Sequence, residues 1–189
     1  SEDSTIKRVS ELEDEVYADI ESRERGVLSL PTPWTEFNAI FGGLQPAKLI
    51  GIAAKYGQGK TTLALNLCLN TARLLRNSND GCVVFFSTEE NTTQCLYSLY
   101  SQIGGINSRE WHRSPLPIHL ARAAFDIYER EIKPLPLRFI DKKQLGMVEL
   151  KSILLEISRE EPVRLVLIDY IQKLDLPVAP AGMKTSEEW

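Results

Sequence analysis

Apolar positions along the chain keep two rhythms, one of three and four residues and one of short unbroken runs. Ile6, Val9, Leu12, Val16 and Ile20 recur at helical spacing, which predicts a helix over residues 6–22 with one narrow apolar stripe. Its other faces carry Glu11, Glu13, Asp14, Glu15, Asp19 and Glu21, so the stripe must dock on something, either its own domain or a neighbouring subunit. Residues 23–36 read as a connector punctuated by Pro31 and Pro33. Phe37, Ile40, Phe41 and Leu44 suggest a short helix closed by Gly42 and Gly43. The run Leu49–Ala53 reads as a buried strand. Residues 60–76 read as a helix with Leu63, Leu67 and Leu74 on one face and Arg73 and Arg76 at its C-terminal end, where cations are favoured. Strands are predicted at 82–86, 137–140 and 163–168, and helices at 92–103, 119–132 and 147–159, the last through Val148, Leu150, Ile153, Leu154 and Ile157. Residues 104–117 read as irregular. Strands alternating with helices imply an α/β domain with a mostly parallel sheet covered on both faces.

Composition narrows the class. At 43% hydrophobic and 25% charged residues, 189 residues suffice for one α/β domain and a short arm. No apolar run approaches the roughly 20 residues of a membrane span, so no membrane partner is expected. Ser1-Glu2-Asp3-Ser4 does not resemble a signal peptide. Cys68, Cys82 and Cys95 lie far apart with no C-x-x-C pair, which points to reduced core cysteines and a cytoplasmic setting. A net charge of −4 excludes a generic polyanion binder but leaves open a few basic loops on nucleic acid.

The sharpest chemistry lies in Ala54-Lys55-Tyr56-Gly57-Gln58-Gly59-Lys60-Thr61-Thr62, after a predicted strand and at the start of a predicted helix. That is the context a phosphate-binding loop requires. Gly57 and Gly59 let the backbone turn tightly and aim N–H groups at phosphate oxygens, and the helix N-terminus adds its positive end. Lys60 is expected to neutralise the β- and γ-phosphates of ATP, and the Thr61 hydroxyl to ligate Mg2+. Ala54 stands where the strict motif has its first glycine. The remaining G-K-[ST] arises by chance in roughly one chain in ten of this length, so the flanking strand, helix and Gly57 carry the assignment.

Two carboxylates complete the expected site. Asp169 ends the apolar run Leu165–Ile168 and suits a magnesium-binding acid, direct or through water; an aspartate capping the loop after a strand is the plain alternative. Glu89 and Glu90 follow Phe85-Phe86-Ser87-Thr88, at the strand edge where ligands of open α/β sheets bind. Glu89 is the expected catalytic group that polarises the attacking water, together with Lys60. A solvated acidic turn before a helix is the alternative for both glutamates.

Taken together, these segments resemble the C-terminal ATPase domain of DnaB-like replicative helicases, from about Ile6 to Leu174. The resemblance is carried by Pro31–Phe37, Gly42–Pro46, the phosphate loop Ala53–Thr61, Phe85–Glu89 and Ile168-Asp169-Tyr170-Ile171-Gln172. That family typically has alanine at the position of Ala54. The resemblance implies a RecA-like P-loop NTPase preceded by an amphipathic linker helix, with residues 1–30 as linker and connector and 31–189 as the ATPase domain. It implies ATP and Mg2+ as cofactors, a hexameric ring assembled through residues 6–20, single-stranded DNA as partner, and ATP-driven duplex unwinding.

Ala47-Lys48 departs from the family's Gly-Asp, and the doubled Glu89-Glu90 is closer to KaiC-type ATPases. A switch or assembly ATPase of the KaiC or RadA type is therefore the alternative. The family's glutamine sensor, arginine finger, basic DNA loops and a strand between those of Leu49 and Leu165 find no counterpart here. The expectation is a domain incomplete at its C-terminus, marginal in stability and nearly inactive alone.

Overall fold

The computed structural model describes residues 8–9, 12–24, 29–170 and 174–175. It divides into two compact units, Ser1–Gly51 and Ile52–Trp189.

The first unit holds helices α1 (Glu13–Glu24) and α2 (Thr35–Phe41). Helix α1 begins later than the apolar stripe predicts, with Glu13, Asp14 and Glu15 in its first turn. Acidic side chains favour the positive end of a helix, so the charge pattern sets the start. Ile6 lies outside the described residues. Val16, Tyr17 and Ile20 are exposed on the helix. Before α2, Thr32 and Asn38 lock the connector: the Thr32 hydroxyl donates to Asn38 Oδ1 at 2.8 Å, and Asn38 Nδ2 donates to the Thr32 carbonyl at 2.7 Å. The helix closes at Gly42 in the left-handed conformation, as its sequence predicts.

The second unit is the α/β body. Its elements are α3 (Lys60–Ser78), β1 (Cys82–Ser87), α4 (Thr92–Gly104), α5 (Ile118–Ile127), β2 (Leu137–Asp141), β3 (Leu145–Gly146), α6 (Met147–Glu160), β4 (Val163–Asp169) and β5 (Leu174–Asp175). Strands β2, β1 and β4 form a parallel sheet in that order, and β3 pairs in parallel with β5. Parallel neighbours need a crossover, and the intervening helices supply it. Every residue of β1 is buried, as a central strand requires. Cys82, Val84 and Phe86 point to one face, where they cluster with Leu145 and Ile157 of β3 and α6. Each fully buried side chain of this size contributes about 1.5–3 kcal/mol. Alternation turns Val83 and Phe85 to the other face. There α3 packs against β1, β4 and α4.

Gly81 is the tightest point of the sheet's lower edge. Its φ is +86°, and a Cβ there would stand 2.1 Å from the Pro162 carbonyl oxygen. That same carbonyl accepts the Cys82 N–H at 2.8 Å, so β1 and β4 start side by side.

Several expectations are corrected. Leu49–Ala53 is not a strand: it pairs with nothing among the described residues, and Leu49 is 92% exposed. An apolar run becomes a strand only where a ladder accepts it, and β4 has a described neighbour on one side only. On α3 the buried face is Leu65, Cys68, Leu69, Ala72 and Leu75 with Leu67, whereas Leu63 and Leu74 lie partly in solvent. On α6, Val148 is 83% exposed while Ile157 is buried. Elsewhere the predicted helix 119–132 ends at Ile127 and continues as a wider turn, where Lys133 N–H reaches back to the Tyr128 carbonyl at 2.8 Å. The predicted irregular stretch holds a short turn of helix, Ser108–His112, anchored by Trp111, which stacks on Tyr97 and donates to the Ser101 hydroxyl at 2.8 Å.

The three cysteines are free and buried, in keeping with core packing. Burial pushes the Cys82 and Cys95 thiols up to about 11. Among the described residues no helix is long and apolar enough to cross a membrane.

Candidate functional site

Both glycines of the loop before α3 have positive φ, +74° at Gly57 and +83° at Gly59, and a Cβ on either would meet nothing within 4 Å. The turn therefore needs glycine for its backbone, and the space around it is open. Gly59 caps α3 without any side-chain acceptor, so the first N–H groups of the helix have no partner from a capping side chain. Lys60 folds back over the loop: its Nζ donates to the Ala54 carbonyl at 2.8 Å and the Lys55 carbonyl at 3.2 Å. Gln58 N–H also donates to Lys55 O, at 3.3 Å, which closes the turn. Ala54, Lys55, Tyr56, Gly57, Gln58 and Gly59 are all exposed. The expected phosphate loop thus forms a solvent-facing cradle with one ammonium held by neutral carbonyls.

The Thr61 hydroxyl donates to Asp169 Oδ2 at 2.6 Å, across 108 residues of sequence. Asp169 is only 7% exposed at the end of β4, so this bond satisfies a buried carboxylate. Thr62, next on α3, is exposed, and its carbonyl accepts Gln102 Nε2 from α4 at 3.3 Å. A hydroxyl and a carboxylate offer the hard oxygen donors that Mg2+ takes, and one or two such groups are its usual protein share. Among the described residues there is no group of three or more His, Cys, Asp or Glu side chains placed to hold a metal ion.

Glu89 and Glu90 lie just beyond Ser87, which sits in register with Asp169 on one side and Asp141 on the other. The sheet therefore brings Glu89, Glu90, Asp141 and Asp169 to one edge. Glu89 is exposed and forms no bond to Thr61 or Asp169; Glu90 is half-buried. Burial raises the Glu90 carboxyl above its ordinary range, and the charges of Asp169 and Glu89 raise it further. The second glutamate, which the sequence ranks behind the first, thus shares the electrostatic field of the Asp169 carboxylate.

Three side chains of this edge are given no role by sequence reasoning. Thr88 joins the ends of β1 and β4: its N–H donates to the Asp169 carbonyl at 2.9 Å, and its Oγ1 accepts the Tyr170 N–H at 3.0 Å. Ser87 Oγ donates to the Glu90 carbonyl at 2.5 Å. Asp141 Oδ2 accepts the Thr92 N–H at 3.1 Å, at the start of α4. Only the helix cap had a signal in the sequence: Asn91-x-x-Gln94 is a capping box, and both of its reciprocal bonds form. Gln172, in the segment after Asp169, lies outside the described residues.

A profile of the DnaB-like helicase C-terminal domain matches residues 29–188. The chain is 30% identical over 190 residues to the replicative DNA helicase DnaB of Buchnera aphidicola subsp. Schizaphis graminum, covering 93% of this chain and 38% of that protein. It is 26% identical over 196 residues to the replicative DNA helicase DnaB of Mycoplasma genitalium, covering 94% and 38%. It thus spans well under half the length of these relatives. Among solved structures, a DnaB-like replicative helicase described with its primase interactions superposes with a TM-score of 0.73 at 24% identity, over 97% of this chain and 43% of that one. A second solved structure, an ATPase domain, also gives 0.73 at 24%, over 95% and 62%. At that identity the superpositions speak for the fold: a RecA-like parallel sheet flanked by helices.

Proposed function

Because the chain belongs to the DnaB-like helicase C-terminal domain family, we propose that it is the ATP-binding and ATP-hydrolysing motor of a ring-forming replicative DNA helicase. The observation that carries this reading is the 2.6 Å bond between Thr61 and Asp169. A phosphate-loop threonine and a strand-end aspartate meet only if the loop and β4 are built around one site.

The residues divide the work. The backbone N–H groups of Gly57–Thr61 and the N-terminus of α3 bind the phosphates. Lys60 exchanges its two carbonyl partners, Ala54 and Lys55, for phosphate oxygens, a charge-assisted pairing that outweighs neutral ones. Thr61 and Asp169 would hold Mg2+, which would neutralise charge on the phosphates. Glu89 orients the attacking water and takes its proton. Glu90 is half-buried beside it, and burial, with the charges of Asp169 and Glu89, raises its carboxyl pKa. The family supports a motor over the switch or assembly ATPase that the doubled glutamate also suggests.

The wider reading follows from the family. Single-stranded DNA is the track, the chain works in the cytoplasm, and a hexameric ring forms through the arm at residues 6–20. Val16, Tyr17 and Ile20, exposed on α1, supply the apolar surface for that contact. Deleting residues 1–22 from the intact protein should lower the oligomer mass seen by light scattering while ATP binding stays unchanged. The test of the motor itself is Glu89→Gln in the intact protein. ATP binding should persist, while hydrolysis should all but stop, leaving only a small residual rate, and unwinding of a forked duplex should stop. Unwinding at the wild-type rate by Glu89→Gln would refute the assignment.

A further inference from the structure

The turn that carries the two glutamates is held far more tightly than a surface connection of four residues needs. Ser87, the last residue of β1, is 2% exposed, and its hydroxyl donates to the Glu90 carbonyl at 2.5 Å. The same oxygen accepts the buried Cys95 thiol of α4 at 3.8 Å. Thr88, buried beside it, is bonded through its N–H and hydroxyl to the backbone of Asp169 and Tyr170. At the far end, Asn91 Oδ1 accepts the Gln94 N–H at 2.9 Å and Gln94 Oε1 accepts the Asn91 N–H at 3.0 Å. The side chains of Glu89 and Glu90 take part in none of these bonds. The backbone on either side of the two glutamates is tied down, and among the described residues no hydrogen bond holds their carboxylates.

We infer that Ser87 and Asn91 are positioning residues, the buried and the exposed anchor of one clamp that holds the Glu89–Glu90 turn at the catalytic edge of the sheet. This rests on reading Glu89 as the group that polarises water. The physical case is one of degrees of freedom. A glutamate has three rotatable side-chain bonds, so its carboxylate is no better placed than the backbone that carries it. Ser87 bends the chain back on the end of β1, and because β1 is the fully buried central strand, the turn inherits the rigidity of the sheet. Asn91 fixes where α4 begins, so the turn cannot lengthen by unwinding the helix. The phosphate loop enters from another connection and shares no side chain with the clamp. Loosening the clamp should therefore harm the chemical step and spare nucleotide binding.

Steady-state ATP hydrolysis and binding of a non-hydrolysed ATP analogue would be measured on the intact protein. The variants are Ser87→Ala, Ser87→Thr, Asn91→Ala and Glu89→Gln, with each alanine also made in the Glu89→Gln background. A misplacement of about 1 Å at a reacting group can cost on the order of 100-fold in rate. Ser87→Ala is expected to lower kcat by about tenfold or more, with KM and analogue affinity within about twofold of wild type. Ser87→Thr, which restores the hydroxyl, should recover most of the loss. Neither alanine should reduce the residual rate of Glu89→Gln further, because each acts through that carboxylate. Asn91 is exposed, so its variant keeps the fold and carries the test if Ser87→Ala does not melt cooperatively. Wild-type kcat in both alanine variants, or losses that multiply with Glu89→Gln, would overturn the clamp and leave the motor reading standing. Wild-type hydrolysis by Glu89→Gln itself would overturn both.

Discussion

Replacing Thr61 by Val removes one hydroxyl and keeps the volume. That hydroxyl is the donor to Asp169 Oδ2, at 2.6 Å, and Asp169 is 7% exposed. A hydrogen bond to a charged group contributes roughly 1.5–3 kcal/mol, and a buried acceptor left bare sits toward the upper end. Valine packs as threonine does, so little cavity term is added. The expected loss is about 2 kcal/mol of stability. For a chain of this size each kcal/mol shifts Tm by about 2–4 °C, so the variant should melt about 4–8 °C below wild type. Thr61→Ser keeps the donor and loses a methyl group, and should recover at least half of the shift. Both would be read by differential scanning calorimetry of the intact protein in chelator, with urea unfolding as a second measure. A Thr61→Val melt within about 1 °C of wild type, where about 4–8 °C is expected, would mean that the bond is not satisfying Asp169. The pairing of phosphate loop and β4 would then lose its main support.

Three further outcomes follow from the same geometry. Glu90 has a raised folded-state carboxyl pKa, so its charge opposes folding above that value and the penalty vanishes below the ordinary 4.5, where both states are protonated. Glu90→Gln should accordingly raise Tm in metal-free buffer near neutral pH, with the difference closing as pH falls through the Glu90 pKa; an equal gain at every pH would disprove the electrostatic cause. Gly81→Ala forces a Cβ to 2.1 Å from the Pro162 carbonyl at a positive φ, and should cost more than about 2 kcal/mol in urea unfolding, among the largest single-site effects in the sheet; a neutral result would show that the β1–β4 entrance has room for a side chain. The Cys82 and Cys95 thiols, raised to about 11, and the buried Cys68 should stay unreactive to a thiol reagent at about pH 8 until the protein is denatured, and rapid labelling of the native protein would contradict their burial.

Much of this arrangement is legible in the sequence because it is written in local signals. β1 is an unbroken apolar run up to Ser87 and β4 carries one at Leu165–Ile168, and both are strands in the positions predicted. The loop before α3 stands out through Gly57 and Gly59, both of which adopt positive φ, and through Lys60 and Thr61, both held by hydrogen bonds. The same kind of signal misleads at Leu49–Ala53, since a strand is a property of a pair and one apolar run carries no information about its partner. Helix α3 misleads in another way. Leucines at 63, 65, 67, 69, 74 and 75 surround it, so periodicity alone does not pick out the face through Leu65, Cys68, Ala72 and Leu75 that the sheet buries. The ties at Ser87, Thr88 and Asp141 were hidden for a third reason. They depend on strand register and on backbone atoms 49 to 82 residues away in two of the three cases, and short polar side chains leave no trace of such bonds in sequence. Ser87 alone acts locally, three residues on, where serine at a strand end is too common to notice.

The central claim is that the loop Ala54–Thr62, with Asp169, is a magnesium–nucleotide site. Its most direct test is calorimetric titration of Mg-ATP into the intact protein and into Lys60→Ala. In wild type, heat of binding should depend on Mg2+ and fall sharply in chelator, because Thr61 and Asp169 contribute through the metal. In Lys60→Ala, binding should be lost, because nothing replaces the ammonium now resting on Ala54 and Lys55. Equal affinity in the two proteins, or binding indifferent to Mg2+, would contradict the account.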